Sequence, residues 1–336
     1  CGSRVVDLNS PRVMGVLNVT PDSFSDGGRY ADPASAFARA TQMAAEGAAI
    51  IDVGAESTRP GAPRIGAAQQ IGRAVPVIRR MATELDVAIS IDTSDPQVME
   101  AAIRAGACIV NDIRALQTPG ALAVCVRHGV GVCLMHMQGE PLTMQTDPRY
   151  EDVVREVSDF LLQRKAACLA AGLPEQAIVL DPGLGFGKAF SHNMTLLKEL
   201  QALVALGSPV LIGVSRKSFV GRILGRPVHE RLYGGLGLAS LAVTRGVRII
   251  RTHDVAPTVD AIGAVAAAMQ GMEELGREPH GFWNRWCTRP RRNRTIDRGF
   301  CVTACKCSGT RAGARRWPRD HRQGNACLRA HVRVGT

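Results

Sequence analysis

The sequence predicts an α/β fold of the (β/α)8 class, a TIM barrel, and three observations lead to this prediction. Strand-like apolar runs alternate with amphipathic helical segments eight times over about 255 residues, the usual length of such a barrel. Glycine closes most of these helices before the next strand, as at Gly47, Gly106 and Gly172. Polar or ionisable residues follow each strand, on the side where barrel enzymes carry their active sites. A doubly wound open sheet is the competing architecture, but no dinucleotide-binding glycine pattern follows the first strand.

The eight predicted strands are short apolar runs rich in Val and Ile, as expected of parallel strands that are buried on both faces. They cover residues 13–19, 48–53, 87–91, 107–110, 131–135, 178–180, 210–214 and 247–250. The predicted helices repeat apolar residues at intervals of three and four, the period of an amphipathic helix. They cover residues 33–46, 67–82, 97–105, 121–127, 150–171, 193–203, 230–244 and 255–269. Together the eight units form one predicted barrel domain, residues 1–275.

The body of the chain is nearly neutral, although the 336 residues carry a net charge of +11. Residues 277–336 hold 15 of the 41 basic side chains and 3 of the 30 acidic ones, which leaves 26 basic and 27 acidic side chains before them. The charge therefore gives no reason to expect a nucleic-acid partner for the barrel. No apolar run reaches the roughly 18 residues that a membrane helix needs, so no membrane contact is expected. The cysteines of the barrel occur singly, which is typical of reduced thiols and predicts a cytoplasmic protein.

The stretch 181–188 follows the sixth predicted strand and reads Asp-Pro-Gly-Leu-Gly-Phe-Gly-Lys. Its spacing differs from that of a P-loop, because Pro182 occupies the first glycine position and Ala189 follows Lys188. It also differs from the G-x-G-x-x-G pattern of dinucleotide-binding folds. What remains is a carboxylate at the end of a strand, followed by glycines that let the backbone approach a ligand closely.

Residues after the other strands indicate the class of substrate. Arg251 and His253 follow the eighth strand, where barrels commonly bind phosphate, and arginine matches the geometry of a phosphate group. Asp92, Asn111 and Asp181 suit a flat heterocycle, because a carboxylate accepts parallel hydrogen bonds from N–H donors along the edge of a ring. The sequence therefore favours a substrate that joins a flat ring to a phosphate group.

Asn18 is a candidate metal ligand after the first strand. Its hard oxygen suits Mg²⁺, which proteins usually hold with few side chains together with substrate phosphates. The barrel sequence shows no His/Cys cluster with the spacing of a zinc site. His136, which lies between two methionines, is predicted to be a core residue rather than a ligand.

Several blocks of sequence together resemble the dihydropteroate synthase family. These blocks are 14–28, 56–61, 111–114, 134–139, 181–188, 215–218 and 251–254. Members of that family are TIM-barrel homodimers of folate biosynthesis. The resemblance implies that the chain condenses 6-hydroxymethyl-7,8-dihydropterin pyrophosphate with p-aminobenzoate and releases pyrophosphate. It also implies an SN1-like path, in which pyrophosphate leaves before the weakly nucleophilic amine attacks.

The resemblance further implies roles for individual residues. The expected catalytic and pterin-binding residues are Asp92, Asn111, Asp181 and Lys217, with Met135 lining the pterin pocket. Contacts to the pyrophosphate or to the loops around it are expected from Thr58, Arg59, Arg251 and His253. The expected p-aminobenzoate pocket consists of Phe24, Asp26, Arg59, Pro60, Phe186, Lys217 and Ser218. Asn18 is the expected contact to Mg²⁺.

Residues 276–336 are predicted to form a separate, unstructured basic tail, since they are rich in Arg, Gly and Cys and lack periodicity. Cys301, Cys305 and Cys307 do not have a usual zinc spacing. One hypothesis is a shifted reading frame, because suitable codons for residues 282–295, read one nucleotide later, spell a peptide that resembles the start of phosphoglucosamine mutase. A tail that binds nucleic acid, with Trp and Arg stacking on bases, is the alternative.

Two other functions agree with parts of the pattern. A folate- or pterin-binding methyltransferase barrel shares the pterin carboxylates, but it does not require the blocks 56–59 and 215–218. A non-catalytic pterin-binding paralogue would not need the loop and phosphate residues.

Overall fold

The computed structural model describes residues 5–20, 33–56 and 65–270, all of which lie in one compact unit, Cys1–Pro290. The predicted domain boundary at residue 275 and the predicted tail lie outside the described residues, as does a second unit, Arg291–Thr336. Among the described helices, none is both long and apolar enough to cross a membrane.

Eight parallel strands form a barrel within the described residues, which confirms the predicted fold class. They are β1 Arg12–Asn18, β2 Ile50–Gly54, β3 Ala88–Asp92, β4 Ile109–Asp112, β5 Gly131–Met135, β6 Ile178–Asp181, β7 Leu211–Gly213 and β8 Ile249–Thr252. Their order in the sheet is β6-β5-β4-β3-β2-β1-β8-β7, so that β1 pairs with both β2 and β8. A parallel bridge between Leu180 and Val210 joins β6 to the segment before β7 and closes the barrel.

Helices follow the strands and pack around the barrel. They are α1 Pro33–Ala45, α2 Ala67–Glu84, α3 Pro96–Ala105, α4 Ala121–His128, α5 Val153–Ala170, α6 Phe190–Lys198, α7 Leu200–Val204, α8 Ser218–Leu224, α9 Leu232–Thr244 and α10 Val255–Gln270. Aspartates begin two of them as N-caps. Asp95 accepts a hydrogen bond of 2.8 Å from the backbone N–H of Gln97, and Asp152 accepts 3.1 Å and 3.0 Å bonds from Val154 and Arg155. Such side chains satisfy backbone donors that have no partner inside the helix.

Two helices differ from the sequence prediction. The helix expected at 193–203 is divided at Glu199 into α6 and α7, because Glu199 leaves the helical conformation with φ −98° and ψ 26°. Helix α8 lies in a segment for which no helix was predicted. It has seven residues and ends at Gly225, whose φ of 65° is left-handed. Fewer than two full turns are too short for an apolar period to be recognised in the sequence.

The barrel interior changes from apolar to polar toward the carboxyl ends of the strands. Successive side chains of a strand point to opposite faces, so each strand contributes alternate residues to the interior. The apolar part of the interior is a buried cluster of Met14, Ile50, Ala88, Cys108, Ile109, Cys133, Leu211 and Ile249. In β2 the next inward residue after Ile50 is the fully buried Asp52, which pairs in register with the buried Ser90 of β3. The polar end of the barrel is therefore built into the strands themselves.

Four cysteines of the barrel are buried, as the sequence predicted for reduced thiols. They are Cys108, Cys125, Cys133 and Cys168. Burial raises the pKa of Cys125 to about 12, and it raises that of Cys133 well above the usual range. These groups remain thiols at neutral pH and belong to the packing of the barrel rather than to its chemistry.

Candidate active site

Arg251 lies between two carboxylates at the carboxyl end of the barrel. Its Nε donates to Oδ2 of Asp52 over 2.7 Å, and its Nη2 donates to Oδ2 of Asp92 over 2.8 Å. The three residues come from β8, β2 and β3, which the strand order β8-β1-β2-β3 brings together. Burial works against the charged guanidinium, but the two carboxylates outweigh this effect and raise the pKa of Arg251 above its usual value. Arg251 therefore carries its charge at neutral pH.

Asp92 and Asn111 lie next to each other in register on β3 and β4. Burial raises the pKa of Asp92 to about 7, because desolvation of its carboxylate exceeds the stabilising effect of Arg251. Asn111 donates from Nδ2 to Oδ2 of Asp52 over 2.9 Å, which fixes its amide plane and leaves its carbonyl oxygen as an acceptor. Perturbed carboxylates of this kind are characteristic of binding and catalytic sites.

Asp181 ends β6 and begins the glycine-rich loop. Its Oδ1 accepts a 2.7 Å hydrogen bond from the backbone N–H of Gly183, and its other oxygen accepts none from the described residues. Burial raises the pKa of Asp181. Gly183 has a φ of 66°, and a Cβ at this position would come within 2.0 Å of the carbonyl oxygen of His136. The loop therefore reaches this position only with glycine.

The buried side chain of Lys188 holds the end of the glycine-rich loop. Its buried Nζ lies 2.9 Å from Nδ1 of His136 and donates to the carbonyl oxygen of Phe186 over 3.0 Å. Burial lowers the pKa of Lys188 to about 7. His136 packs edge-on against the ring of Phe160 and, with its pKa lowered to about 3 by burial, stays neutral. The structure thus places His136 in the core, as the sequence predicted, and Lys188 as the anchor of the loop that carries Phe186.

Lys217 lies opposite Phe186 across the mouth of the barrel, with its Nζ 4.3 Å from the centroid of the phenyl ring. Burial lowers the pKa of Lys217 to about 8. The backbone around it is held by Arg231, whose Nη1 donates to the carbonyl oxygens of Arg216 and Lys217 over 3.2 Å and 3.4 Å. Arg216 has a φ of 58°, so this turn is strained and is held by neighbouring contacts.

An open cavity of about 380 Å³ lies between these side chains. Its lining comprises Asp92, Asn111, Ile113, Met135, Asp181, Gly183, Leu184, Phe186, Gly213, Lys217 and Arg251. The structure therefore brings seven of the predicted site residues into one cavity. These are Asp92, Asn111, Met135, Asp181, Phe186, Lys217 and Arg251. The apolar and aromatic walls and the convergent polar groups fit a flat ring that carries hydrogen-bond donors.

Other predicted residues lie beside this cavity or outside the described residues. His253 follows Arg251, and its Nδ1 lies 3.2 Å from Oγ of Ser215; burial lowers its pKa to about 4, so its ring is neutral. Ser218 lines a neighbouring groove of about 470 Å³. The predicted residues outside the described part of the chain are Phe24, Asp26, Thr58, Arg59 and Pro60.

Asn18 ends β1 near Gly54, where a Cβ would lie 3.4 Å from Oδ1 of Asn18 and 3.9 Å from Oδ2 of Asp92. No group of three or more His, Cys, Asp or Glu side chains suited to a metal occurs within the described residues. The described residues therefore do not form a metal site made of protein ligands alone. One neutral oxygen beside a carboxylate does fit Mg²⁺, which keeps most of its waters and completes its ligands from substrate phosphates.

The sequence pattern did not predict a role in the site for Asp52 or Lys188. Asp52 does not line the cavity, but it holds both Arg251 and Asn111. The position of Asp52 at the end of an apolar strand is the one sequence feature that indicates a site residue. Whether its side chain points into the barrel depends on the register of β2 against β3, which the structure gives. In the sequence Lys188 is only the last residue of the glycine-rich stretch, because its burial depends on the neighbouring loop after β5.

The fold and the site define a (β/α)8-barrel enzyme whose pocket accepts a flat heterocycle beside a permanent cation. The pattern that describes the family "Pterin binding enzyme" matches residues 14–253. A dihydropteroate synthase of Escherichia coli (strain K12) is 47% identical over 268 residues, which are 80% of this chain and 95% of the relative. The chain belongs to this pterin-binding family and, within it, to the dihydropteroate synthases.

Solved structures show the same similarity. The dihydropteroate synthase of Yersinia pestis in a sulfonamide drug complex has a TM-score of 0.77 and 44% identity, covering 80% of this chain and 98% of that chain. The Xanthomonas albilineans dihydropteroate synthase with 4-aminobenzoic acid has a TM-score of 0.76 and 44% identity, covering 81% of this chain and 97% of that chain.

Proposed function

We propose that the chain condenses 6-hydroxymethyl-7,8-dihydropterin pyrophosphate with p-aminobenzoate, giving 7,8-dihydropteroate and pyrophosphate. The observation that carries this proposal is the convergence of Asp92, Asn111, Asp181 and Lys217 on one cavity beside Arg251. The bound ligand of the Xanthomonas albilineans relative supports p-aminobenzoate as the second substrate.

The pterin ring would bind by its edge. Asp181 offers the oxygen that accepts no hydrogen bond from the described residues, and Asp92 offers a second carboxylate, so ring N–H groups find acceptors on both sides. Lys217 would donate to acceptor atoms of the ring, and Asn111 presents an amide that Asp52 holds in place. Met135 supplies part of the apolar wall against the ring.

The carbon–oxygen bond to the pyrophosphate would break first, and its electron pair would leave with the pyrophosphate. Arg251 keeps its charge throughout and stabilises the phosphate oxygens. His253, which is neutral because burial lowers its pKa to about 4, would donate a hydrogen bond without losing a proton. Mg²⁺, held by Asn18 and the phosphates, would neutralise further charge on the leaving group.

The cationic methylene group that remains on the pterin would be stabilised by the nearby carboxylates of Asp92 and Asp181. The amine of p-aminobenzoate would then form the new carbon–nitrogen bond, and its proton would pass to the released pyrophosphate. Lys217 and Phe186 stand at the side of the cavity from which this ring would approach. No covalent bond to the enzyme is required on this path.

A homodimer in the cytoplasm is the proposed state of the protein. The family supports the dimer, and so do exposed apolar side chains near the barrel's last helices, namely Leu224, Val228 and Tyr233. The buried thiols of the barrel support a reducing compartment.

Pyrophosphate release by the full chain tests the proposal. The protein is mixed with the dihydropterin pyrophosphate and Mg²⁺, with and without p-aminobenzoate. Release that depends on p-aminobenzoate supports the synthase. Binding of the pterin without release would instead support a binding paralogue or a methyltransferase barrel, and methyl transfer to a corrinoid would separate these two.

A further inference from the structure

Asp52 lies behind the wall of the cavity. It is fully buried in β2 and is not one of the lining residues, whereas both of its polar neighbours are. A ligand in the cavity therefore does not reach Asp52 directly. Any effect of this carboxylate on the ligand passes through the two side chains that it holds.

A single oxygen of Asp52 makes both of these contacts. Its Oδ2 accepts from Nε of Arg251 over 2.7 Å and from Nδ2 of Asn111 over 2.9 Å. Its Oδ1 has no hydrogen-bond partner among the residues that the structure describes. A buried carboxylate used in this way binds its charged partner strongly, because the pair is shielded from water.

The guanidinium of Arg251 also contacts Asp92. Its Nη2 donates to Oδ2 of Asp92 over 2.8 Å, and Asp92 lines the cavity. A heterocycle that donates two parallel N–H groups to the carboxylate of Asp92 engages both of its oxygens, including the one that Arg251 uses. When the contact to Asp92 is broken, the bond from Nε to Asp52 remains, since Asp52 is out of reach of the ligand.

We propose that Asp52 is a positioning residue that anchors Arg251 by Nε, so that the guanidinium exchanges Asp92 for the diphosphate of the substrate when the ring binds. Binding of the ring and capture of the diphosphate are thereby coupled through one side chain. The inference deepens the proposed function and rests on it.

Calorimetry with two ligands tests this role. The wild-type chain and the variant Asp52→Asn are titrated, in the presence of Mg²⁺, with 6-hydroxymethyl-7,8-dihydropterin and with its pyrophosphate ester. The asparagine oxygen can take the place of Oδ2 and still accept from Asn111 and Arg251, but it carries no charge. The affinity for the bare pterin should therefore change by less than about threefold. The affinity for the ester should fall by about tenfold or more, because the bond that anchors Arg251 loses its charged acceptor.

Asp112→Asn is the matched control. Asp112 is an equally buried carboxylate on β4, but it accepts from the backbone N–H groups of Arg114 and Leu116 over 2.8 Å and does not line the cavity. Its variant can lower the thermal stability of the protein, but the ratio of the two affinities should remain that of the wild type. If the affinity for the ester falls relative to that for the bare pterin in both variants, the barrel is disturbed generally, and this result would overturn the proposal.

The double variant Asp52→Asn/Arg251→Ala decides whether Asp52 acts through Arg251. In the Arg251→Ala background, the asparagine should cause no further loss of affinity for the ester. A further tenfold loss there, or an unchanged ratio in Asp52→Asn alone, would overturn the positioning role. A wild-type chain that binds neither ligand, or that binds both equally, would instead refute the proposed function itself.

Discussion

Nζ of Lys217 lies 4.3 Å from the centroid of the Phe186 ring, which joins the loop after β7 to the loop after β6. An ammonium over an aromatic face is attracted by about 0.5–2 kcal/mol, depending on its exposure to water. The contact also orients the cation toward the cavity that both residues line.

Phe186→Leu should raise the KM for p-aminobenzoate by several-fold, because it removes the aromatic face that holds Lys217 and keeps an apolar side chain. The KM for the pterin ester should change less, since its carboxylate contacts are retained. Steady-state kinetics with each substrate varied in turn measures both values. An equal rise in both KM values would contradict the assignment of this contact to the p-aminobenzoate side.

The pH dependence of kcat/KM for the pterin ester should be bell-shaped, with its maximum between about 7 and about 8. Burial raises the pKa of Asp92 to about 7, so below this pH the carboxyl becomes protonated and loses an acceptor for the ring. Burial lowers the pKa of Lys217 to about 8, so above this pH the ammonium loses its charge. Lys217→Arg should move the alkaline limb to higher pH, and an unmoved limb would assign it to another group.

Asp181→Asn should weaken binding of the bare dihydropterin by about 10-fold to 100-fold, the cost of losing a hydrogen bond to a charged acceptor. The amide still accepts the N–H of Gly183, which is 2.7 Å from Oδ1 in the present protein, so the loop should keep its position. Calorimetry measures the affinity and thermal unfolding checks the fold. An affinity within threefold of the wild type would place the ring elsewhere.

Gly183→Ala should destabilise the protein by more than about 3 kcal/mol, since backbone strain at positive φ is joined by a steric clash. The new Cβ would lie 2.0 Å from the carbonyl oxygen of His136. Gly129→Ala is the control, because Gly129 has a φ of 61° but no heavy atom within 4 Å of a Cβ. Gly129→Ala should lower the free energy of unfolding only by the backbone strain at positive φ, about 1–2 kcal/mol.

Urea unfolding of both glycine variants gives the free energies of unfolding. Equal losses in the two variants would show that the loop moves away from His136 at little cost. A larger loss for Gly183→Ala would confirm that the loop is fixed against His136, the residue that follows β5.

The sequence predicted the positions of Asp92, Asn111 and Asp181 because each lies at or next to the end of an apolar run in a strand–helix unit. It could not tell which of two neighbours faces the cavity. Asn111 does so, whereas Asp112 turns to the loop and accepts backbone N–H groups. That choice depends on the register of β4 against β3, which alternation alone does not fix.

The contact between Asp52 and Arg251 could not be predicted from sequence patterns either. The two residues are 199 positions apart and meet because β1 pairs with both β2 and β8. A sequence gives the type of each group but not the distance between groups on strands that are remote in the chain and neighbours in the sheet. Helix α8 was not predicted for a different reason, its short length of seven residues.

The closure of the barrel between β6 and β7 has a consequence for its dynamics. The Leu180–Val210 bridge joins the two sides, and the backbone N–H of Leu180 donates to the carbonyl oxygen of Pro209 over 2.9 Å. Asp181 follows on one side of this seam and Lys217 on the other. Opening of the seam would separate the carboxylate from the ammonium. Deuterium uptake at the amide of Leu180 would therefore report how often the seam opens. A bound pterin should slow this uptake.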